Sequence, residues 1–209
     1  MFMVSGTDRY RAFLSFFISL FNQNRRMKVT EKPLNQYPWY LQPIFRSQKK
    51  KYGMVLKSGL MWARVPRLFA AVSFLFGVLE RKSSPISPQL RSLILVRVSQ
   101  INWCPFCVDI NSAKLAERAG SMAKIDQLEV WRESDLFDEK ERVSLEYAEA
   151  VTYTDRQVDE DLMAKLGQHF DDDAIVELTG LIAFQNLSSK FNAALDIPAQ
   201  GFCKVPTPN

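Results

Sequence analysis

Apolar residues recur at spacings of three and four through most of this chain, and no stretch of useful length alternates apolar and polar residues at every second position. That pattern points away from a sheet and predicts an all-α protein. Glycine is scarce, at 8 of 209 residues, which fits helices better than turn-rich β structure. With 47% hydrophobic residues the chain can fill a core without disulfide staples. Its length suits one domain, or one domain with an arm.

The periodicity predicts where the helices lie. One is expected from Lys49 to Arg64. A second opens at Pro66 and buries a broad stripe of Leu68-Phe69, Val72, Leu75-Phe76 and Leu79. Ser87 before Pro88 reads as an N-cap followed by proline at the first helical position, opening a helix that ends near Asn102-Trp103. A short helix covers Ala123 to Val130. Asp138 caps a helix from Glu139 through Thr152, and an amphipathic segment spans Val158 to Phe170. Asp171-Asp172-Asp173 supplies an acidic first turn to a helix over Ala174 to Leu187. Met54, Met61, Trp62 and Phe69 read as core residues, with a pocket lining as the alternative.

Ahead of these helices, residues 28–48 carry Pro33, Pro38 and Pro43 among Tyr37, Trp39, Tyr40 and Phe45, and read as a strap laid on a surface. The run Ala12–Phe21 is apolar but too short for a straight bilayer span. Its readings are an interfacial helix, a helix docked on this protein or a partner, and an upstream extension of the reading frame with Met27 as an alternative start. Docking or extension is expected over a membrane anchor. Three regions result: an arm over 1–48, a helical domain over 49–197 and an irregular tail over 198–209.

The formal net charge is +4. Basic residues gather between Arg9 and Arg67, acidic ones between Asp126 and Glu177. No nucleic-acid recognition element accompanies the basic region, so a solvated face or intersubunit contact is expected there.

Chemistry concentrates at Trp103-Cys104-Pro105-Phe106-Cys107-Val108-Asp109-Ile110-Asn111, where a helix is expected to begin and Ala119-Gly120 to end it. A thiol at a helix N-terminus lies beside unpaired N–H groups, which favour the thiolate. Cys104 and Cys107 are close enough to close a disulfide. Cys104, nearer the helix start, is expected to be the more exposed of the two, and neither is ranked as the attacking thiol. Three cysteines do not make a secreted disulfide framework, and a close pair suits a reducing, cytoplasmic compartment. Haem attachment is excluded because Val108 stands where a His is required. Zinc would need two more ligands, and only His169 and Cys203 remain; no metal or cofactor is expected. Both residues read as bystanders. A thioredoxin fold would need strands around the motif.

The segment Leu90–Val98 followed by Asn102–Asn111 resembles the core of the carboxymuconolactone decarboxylase / alkylhydroperoxidase D-like (AhpD-like) proteins. Trp131-Arg132-Glu133-Ser134, Phe137–Arg142, Tyr147–Ala150, Glu177–Ala183 and Lys190–Leu195 resemble its second half, so the likeness spans roughly 50–197. The resemblance implies an all-helical AhpD-like bundle and a homo-oligomer, trimeric or hexameric. It also implies a thiol peroxidase or disulfide reductase at Cys104 and Cys107, acting on a hydroperoxide or disulfide with a dithiol reductant. The alternatives are a non-catalytic oligomeric member with a binding or membrane-peripheral role, and lactone decarboxylation, which does not require the cysteine pair.

Two positions depart from that family's peroxidase pattern. Asn111 stands where a His is expected four residues after the second cysteine, and Ser92 where a Glu is expected twelve before the first. Neither side chain is a base near neutral pH. Asp109, Glu141, Glu146 and Glu149 are candidates to rebuild the proton relay, and each also reads as a surface or capping charge.

Overall fold

The structure, a computed structural model, describes residues 27–203. The apolar run at Ala12–Phe21, the Arg25-Arg26 pair and the tail beyond Cys203 lie outside the described residues. Within them are nine α-helices, three short 3₁₀ segments and no strand. The helices are α1 (Gln42–Tyr52), α2 (Lys57–Ala63), α3 (Pro66–Leu79), α4 (Pro88–Ile101), α5 (Pro105–Ala119), α6 (Ala123–Gln127), α7 (Glu139–Thr152), α8 (Glu160–Gly167) and α9 (Asp172–Ala194). None is long and apolar enough to cross a membrane.

Most boundaries follow from local chemistry. Ser87 Oγ accepts from the Leu90 N–H at 3.2 Å, with Pro88 opening α4. Asp138 and Glu141 form a reciprocal capping box at α7. Asp159 and Asp171 each accept an N–H at 2.8 Å to begin α8 and α9. Gly120, with φ at 66°, ends α5 in the left-handed region.

Three expectations are corrected. The helix expected from Lys49 to Arg64 is two helices. Gly53, at φ 75°, stops the first, and the chain turns before α2. The first also starts earlier, at Gln42, because Pro43 sits in the opening turn, where its missing N–H has no partner to lose. The 48/49 boundary therefore falls inside α1. The last helix runs on past Leu187 to Ala194. The added turns carry polar residues, and Ser189 and Asn192 among them are fully buried against the rest of the protein. The broad buried stripe of α3 is not there. Only Phe69 and Leu79 are buried, while Leu68, Phe74, Leu75, Phe76 and Val78 are exposed, because α3 packs through one narrow side on α2 and α9.

The main core joins α4, α7 and α9 through Leu93, Ile94, Val96, Leu145, Leu178 and Ile182, all fully buried. Each contributes about 1.5–3 kcal/mol of burial. Helix α4 is the hub, packed on α5, α7 and α9. A second cluster joins Tyr37, Leu41 and Phe45 of the strap and first helix to α2, Cys104, Phe106, Cys107 and Ile197. The strap is thus half built in: the Tyr37 hydroxyl donates to the Leu60 carbonyl at 3.1 Å, while Trp39 and Tyr40 remain exposed.

Candidate active site

The turn between α4 and α5 is tight. The Cys104 N–H donates to the Ser99 carbonyl at 3.2 Å and the Trp103 N–H to the Gln100 carbonyl at 3.1 Å, the paired bonds of a Schellman motif. Its left-handed position usually holds Gly. Here it holds Trp103 at φ 52°, which costs about 1–2 kcal/mol. The result seats Cys104 as the N-cap of α5, with Pro105 at the first helical position.

Cys104 and Cys107 are joined as a disulfide, their Cα atoms 5.3 Å apart. Cys104 Sγ also accepts from the Cys107 N–H at 3.2 Å. The expected exposure of Cys104 is not found: it is fully buried behind Phe106 and the strap cluster. Cys107 is nearly as buried from bulk water but lines a cavity of about 300 Å³. Trp62, Val72, Phe76, Leu79, Phe106 and Phe184 form its apolar walls. Gln48 and Tyr52 of α1 also reach it, so the first helix helps to enclose the site. Of the four residues weighed as pocket or core, Trp62 lines the cavity, stacked on Phe191 with ring centroids 3.5 Å apart. Met61 and Phe69 are core, and Met54 is largely exposed.

A polar seam runs beside Cys107. Asn192 Nδ2 of α9 donates to Cys107 Sγ at 3.2 Å. The Ser58 hydroxyl of α2 donates to Asn192 Oδ1 at 2.7 Å, which fixes the amide. Asn111 lines the cavity and donates to Ser99 Oγ at 3.2 Å and Gln185 Oε1 at 3.4 Å. Gln185 in turn donates to Ser99 and Ser189. This network is neutral and contains no base.

The relay candidates lie elsewhere. Ser92 is fully buried and accepts from Arg118 Nη1 at 2.8 Å. Asp109 faces the C-terminal tail and accepts the N–H groups of Gln200, Gly201 and Cys203, each at 2.8 Å. Glu141 closes the α7 capping box and binds Lys124. Glu146 pairs with Lys165 at 3.8 Å on the surface. Glu149 is buried among Arg97, Arg132, Arg156 and the Trp131 indole. Of the candidates named from the sequence, the structure brings together Cys104, Cys107 and Asn111.

The acidic and basic side chains that do reach the cavity are Glu80, at the end of α3, and Lys114, on α5. Lys114 follows Cys107, Ile110 and Asn111 at i+7, i+4 and i+3, so one helical stripe holds all four. That spacing was readable once the helix start was known. Glu80 and Asn192 come from distant helices and carry no local signal. His169 lies in the turn after α8, with its N–H on the Leu166 carbonyl, and it does not line the cavity. Cys203 is a free thiol; burial and the charges of Asp109 and Asp126 push its pKa up to about 11. Among the described residues no cluster of three or more His, Cys, Asp or Glu could hold a metal ion.

The chain is 48% identical over 174 residues to the uncharacterized protein YnjA of Escherichia coli (strain K12), covering 83% of this chain and 96% of that one. It is 30% identical over 115 residues to YdfG of Bacillus subtilis (strain 168), covering 54% and 78%. Its fold is similar to the alkylhydroperoxidase AhpD core of a peroxidase-related protein from Ralstonia eutropha JMP134. The TM-score there is 0.77 at 23% identity, over 86% of this chain and 95% of that one. It is also similar to the debrominase Bmp8, with a TM-score of 0.73 at 22% identity over 85% and 94%. The sequence profile of the carboxymuconolactone decarboxylase family matches residues 65–150, from the start of α3 into α7 and across the cysteine pair. With an all-helical AhpD-like fold around that pair, the chain belongs to the carboxymuconolactone decarboxylase family.

Proposed function

We propose that this protein is a thiol peroxidase that reduces organic hydroperoxides at Cys107 and resolves through Cys104. One observation carries the reading. Cys107 lines an apolar cavity, while Cys104 lies behind it within bonding reach and away from that cavity. In the reduced enzyme the Cys107 thiolate attacks the distal peroxide oxygen. An S–O bond forms, the O–O bond breaks, and the leaving alkoxide takes a proton to become an alcohol. The Cys104 thiol then condenses with the sulfenic acid, forming the disulfide and releasing water, and a dithiol reductant restores the pair by exchange.

Position in the first turn of α5 and the Asn192 donor both favour a thiolate at Cys107. The neutral Asn111 network supplies no base, so the thiol proton leaves to solvent and turnover is slow relative to an enzyme with a relay. The exposed apolar residues of α3 support the homo-oligomer expected of the family.

The test is thiol counting by stopped flow on the dithiothreitol-reduced protein with cumene hydroperoxide. Two thiols per chain should disappear rapidly at pH 8, with Cys203 silent. Cys107→Ser should abolish the fast phase. Cys104→Ser should leave a sulfenic acid on Cys107 that dimedone traps. A wild-type thiol count unchanged by peroxide ends the peroxidase reading.

A further inference from the structure

The far end of the Cys107 cavity is positively charged in excess. Lys114 lies on the same stripe of α5 two turns beyond Cys107, about 10 Å along the helix axis. Helical side chains lean towards the N-terminus, which carries the lysine stem back along the cavity wall. Its ammonium lies 4.8 Å from the ring centroid of Phe76, another lining residue. Among the described residues it has no hydrogen-bond or ion-pair partner beyond that ring. Burial pushes its pKa down, with Glu80 opposing. Burial makes the charge costly to hold there.

Glu80 offsets it only in part. Its Oε2 accepts from Arg118 Nη2 at 2.6 Å, and Arg118 also holds Ser92 and the Pro88 carbonyl. Arg91, buried nearby, donates to the Leu79 carbonyl. Burial raises the Glu80 carboxyl's pKa, but the Arg118 bond and the charges of Lys114, Arg118 and Arg91 overcome that and hold it low. Lys114, Arg118 and Arg91 therefore all act on the Glu80 carboxylate, and the second carboxylate felt by Arg91, Glu177, is already held by Arg81. Lys51 adds to the positive side, and the exposed Glu117 is the weakest of the opposing influences on Lys114. An anion completes this arrangement, and a cation does not.

We propose that Lys114 is the recognition group for an acidic substrate: an amphipathic hydroperoxide whose apolar body fills the cavity and whose carboxylate meets the Lys114 ammonium while its peroxide faces Cys107. This deepens, and rests on, the peroxidase reading. A cavity of about 300 Å³ suits a compact molecule such as an aryl or short alkyl acid rather than a long acyl chain.

The test separates the acid site from the chemistry. Binding of 4-isopropylbenzoate, which carries no peroxide, is measured by calorimetry on the wild-type disulfide form, Lys114→Met and Lys114→Arg. A charge-assisted contact predicts about 10- to 100-fold weaker binding in Lys114→Met and retention within a few-fold in Lys114→Arg. Oxidation rates of the reduced protein are then compared for cumene hydroperoxide and 4-carboxycumene hydroperoxide. The acid should react faster in the wild type, and the ratio of the two rates, compared within each protein, should fall to about one in Lys114→Met. Equal binding of 4-isopropylbenzoate to wild type and Lys114→Met overturns the proposal. Benzoate binding through Lys114 to a protein that neither hydroperoxide oxidises upholds the acid site and removes the peroxidase reading alone.

Discussion

Glu149→Gln separates a structural carboxylate from a catalytic one. Glu149 was a relay candidate by sequence, but its carboxylate is 1% exposed and bound by Arg97 at 2.7 Å, Arg132 at 2.9 Å and Arg156 at 2.9 Å, with the Trp131 indole N–H at 2.9 Å. Burial alone would raise its pKa. The hydrogen bonds from Arg132 and Trp131 and the charge of Arg97 win, and the pKa falls from 4.5 to about 2. At 1.36 kcal/mol per pH unit, that difference is worth about 3 kcal/mol of stability at neutral pH. Because the folded pKa lies below the unfolded one, the contribution is complete above about pH 4.5. It falls to less than half by roughly pH 3 and is gone below about pH 2. Glutamine keeps the volume and one acceptor for Trp131. Arg132 and Arg156 are about half exposed and re-solvate, so Arg97 bears most of the loss. Urea unfolding should show Glu149→Gln destabilised by about 3 kcal/mol at pH 7, or roughly 6–12 °C in Tm. The gap to wild type should narrow steadily as the pH falls to 3. Peroxide-dependent thiol loss by the folded variant should match wild type. A gap that does not change with pH would refute the linkage argument. A folded variant whose thiols react tenfold more slowly would return Glu149 to the relay.

Two further substitutions probe the site's edges. Asp109→Ala leaves the Gln200, Gly201 and Cys203 N–H groups without their carboxylate, so the tail should detach at a cost of roughly 2–4 kcal/mol, read as early proteolysis near residue 200 and a lower urea midpoint. Asn111→His puts a base beside the thiol within the Ser99–Gln185 network; the cumene hydroperoxide rate should rise at least ~10-fold and its pH profile should gain an inflection near 6.5. An unchanged rate and profile would mean that position 111 does not address the Cys107 proton.

What the sequence discloses here depends on how local each determinant is. Helix starts at Ser87, Asp138 and Asp171 are set by one side chain bonding an N–H three residues on, so residue type and spacing suffice. The turn before Cys104 breaks that rule, because Trp103 occupies a left-handed position that glycine would have advertised. Its strain persists because both Schellman bonds and the buried Cys104 on its far side over-determine it. Helix α9 hides its length for the opposite reason. Its buried face runs from Ala174-Ile175 and Leu178 through Leu181-Ile182 to Gln185, Ser189 and Asn192, so the stripe turns polar along its length, and its polar residues are spent on Cys107, Ser58, Ser99 and Thr152. Polarity near a helix end reads as solvent, but here it is the inner wall of the site. The same logic governs the charges. Asp109 and Glu149 lie on site-bearing and core helices, yet their partners are a tail and three arginines, supplied by chain up to 94 residues away. Lys114 looks like one more surface lysine until Cys107 fixes the face it shares. The proton chemistry at Cys107 therefore has to be argued from what surrounds the thiol in space. There the polar neighbours are amides and hydroxyls, and the basic side chain on the same stripe of α5 is Lys114.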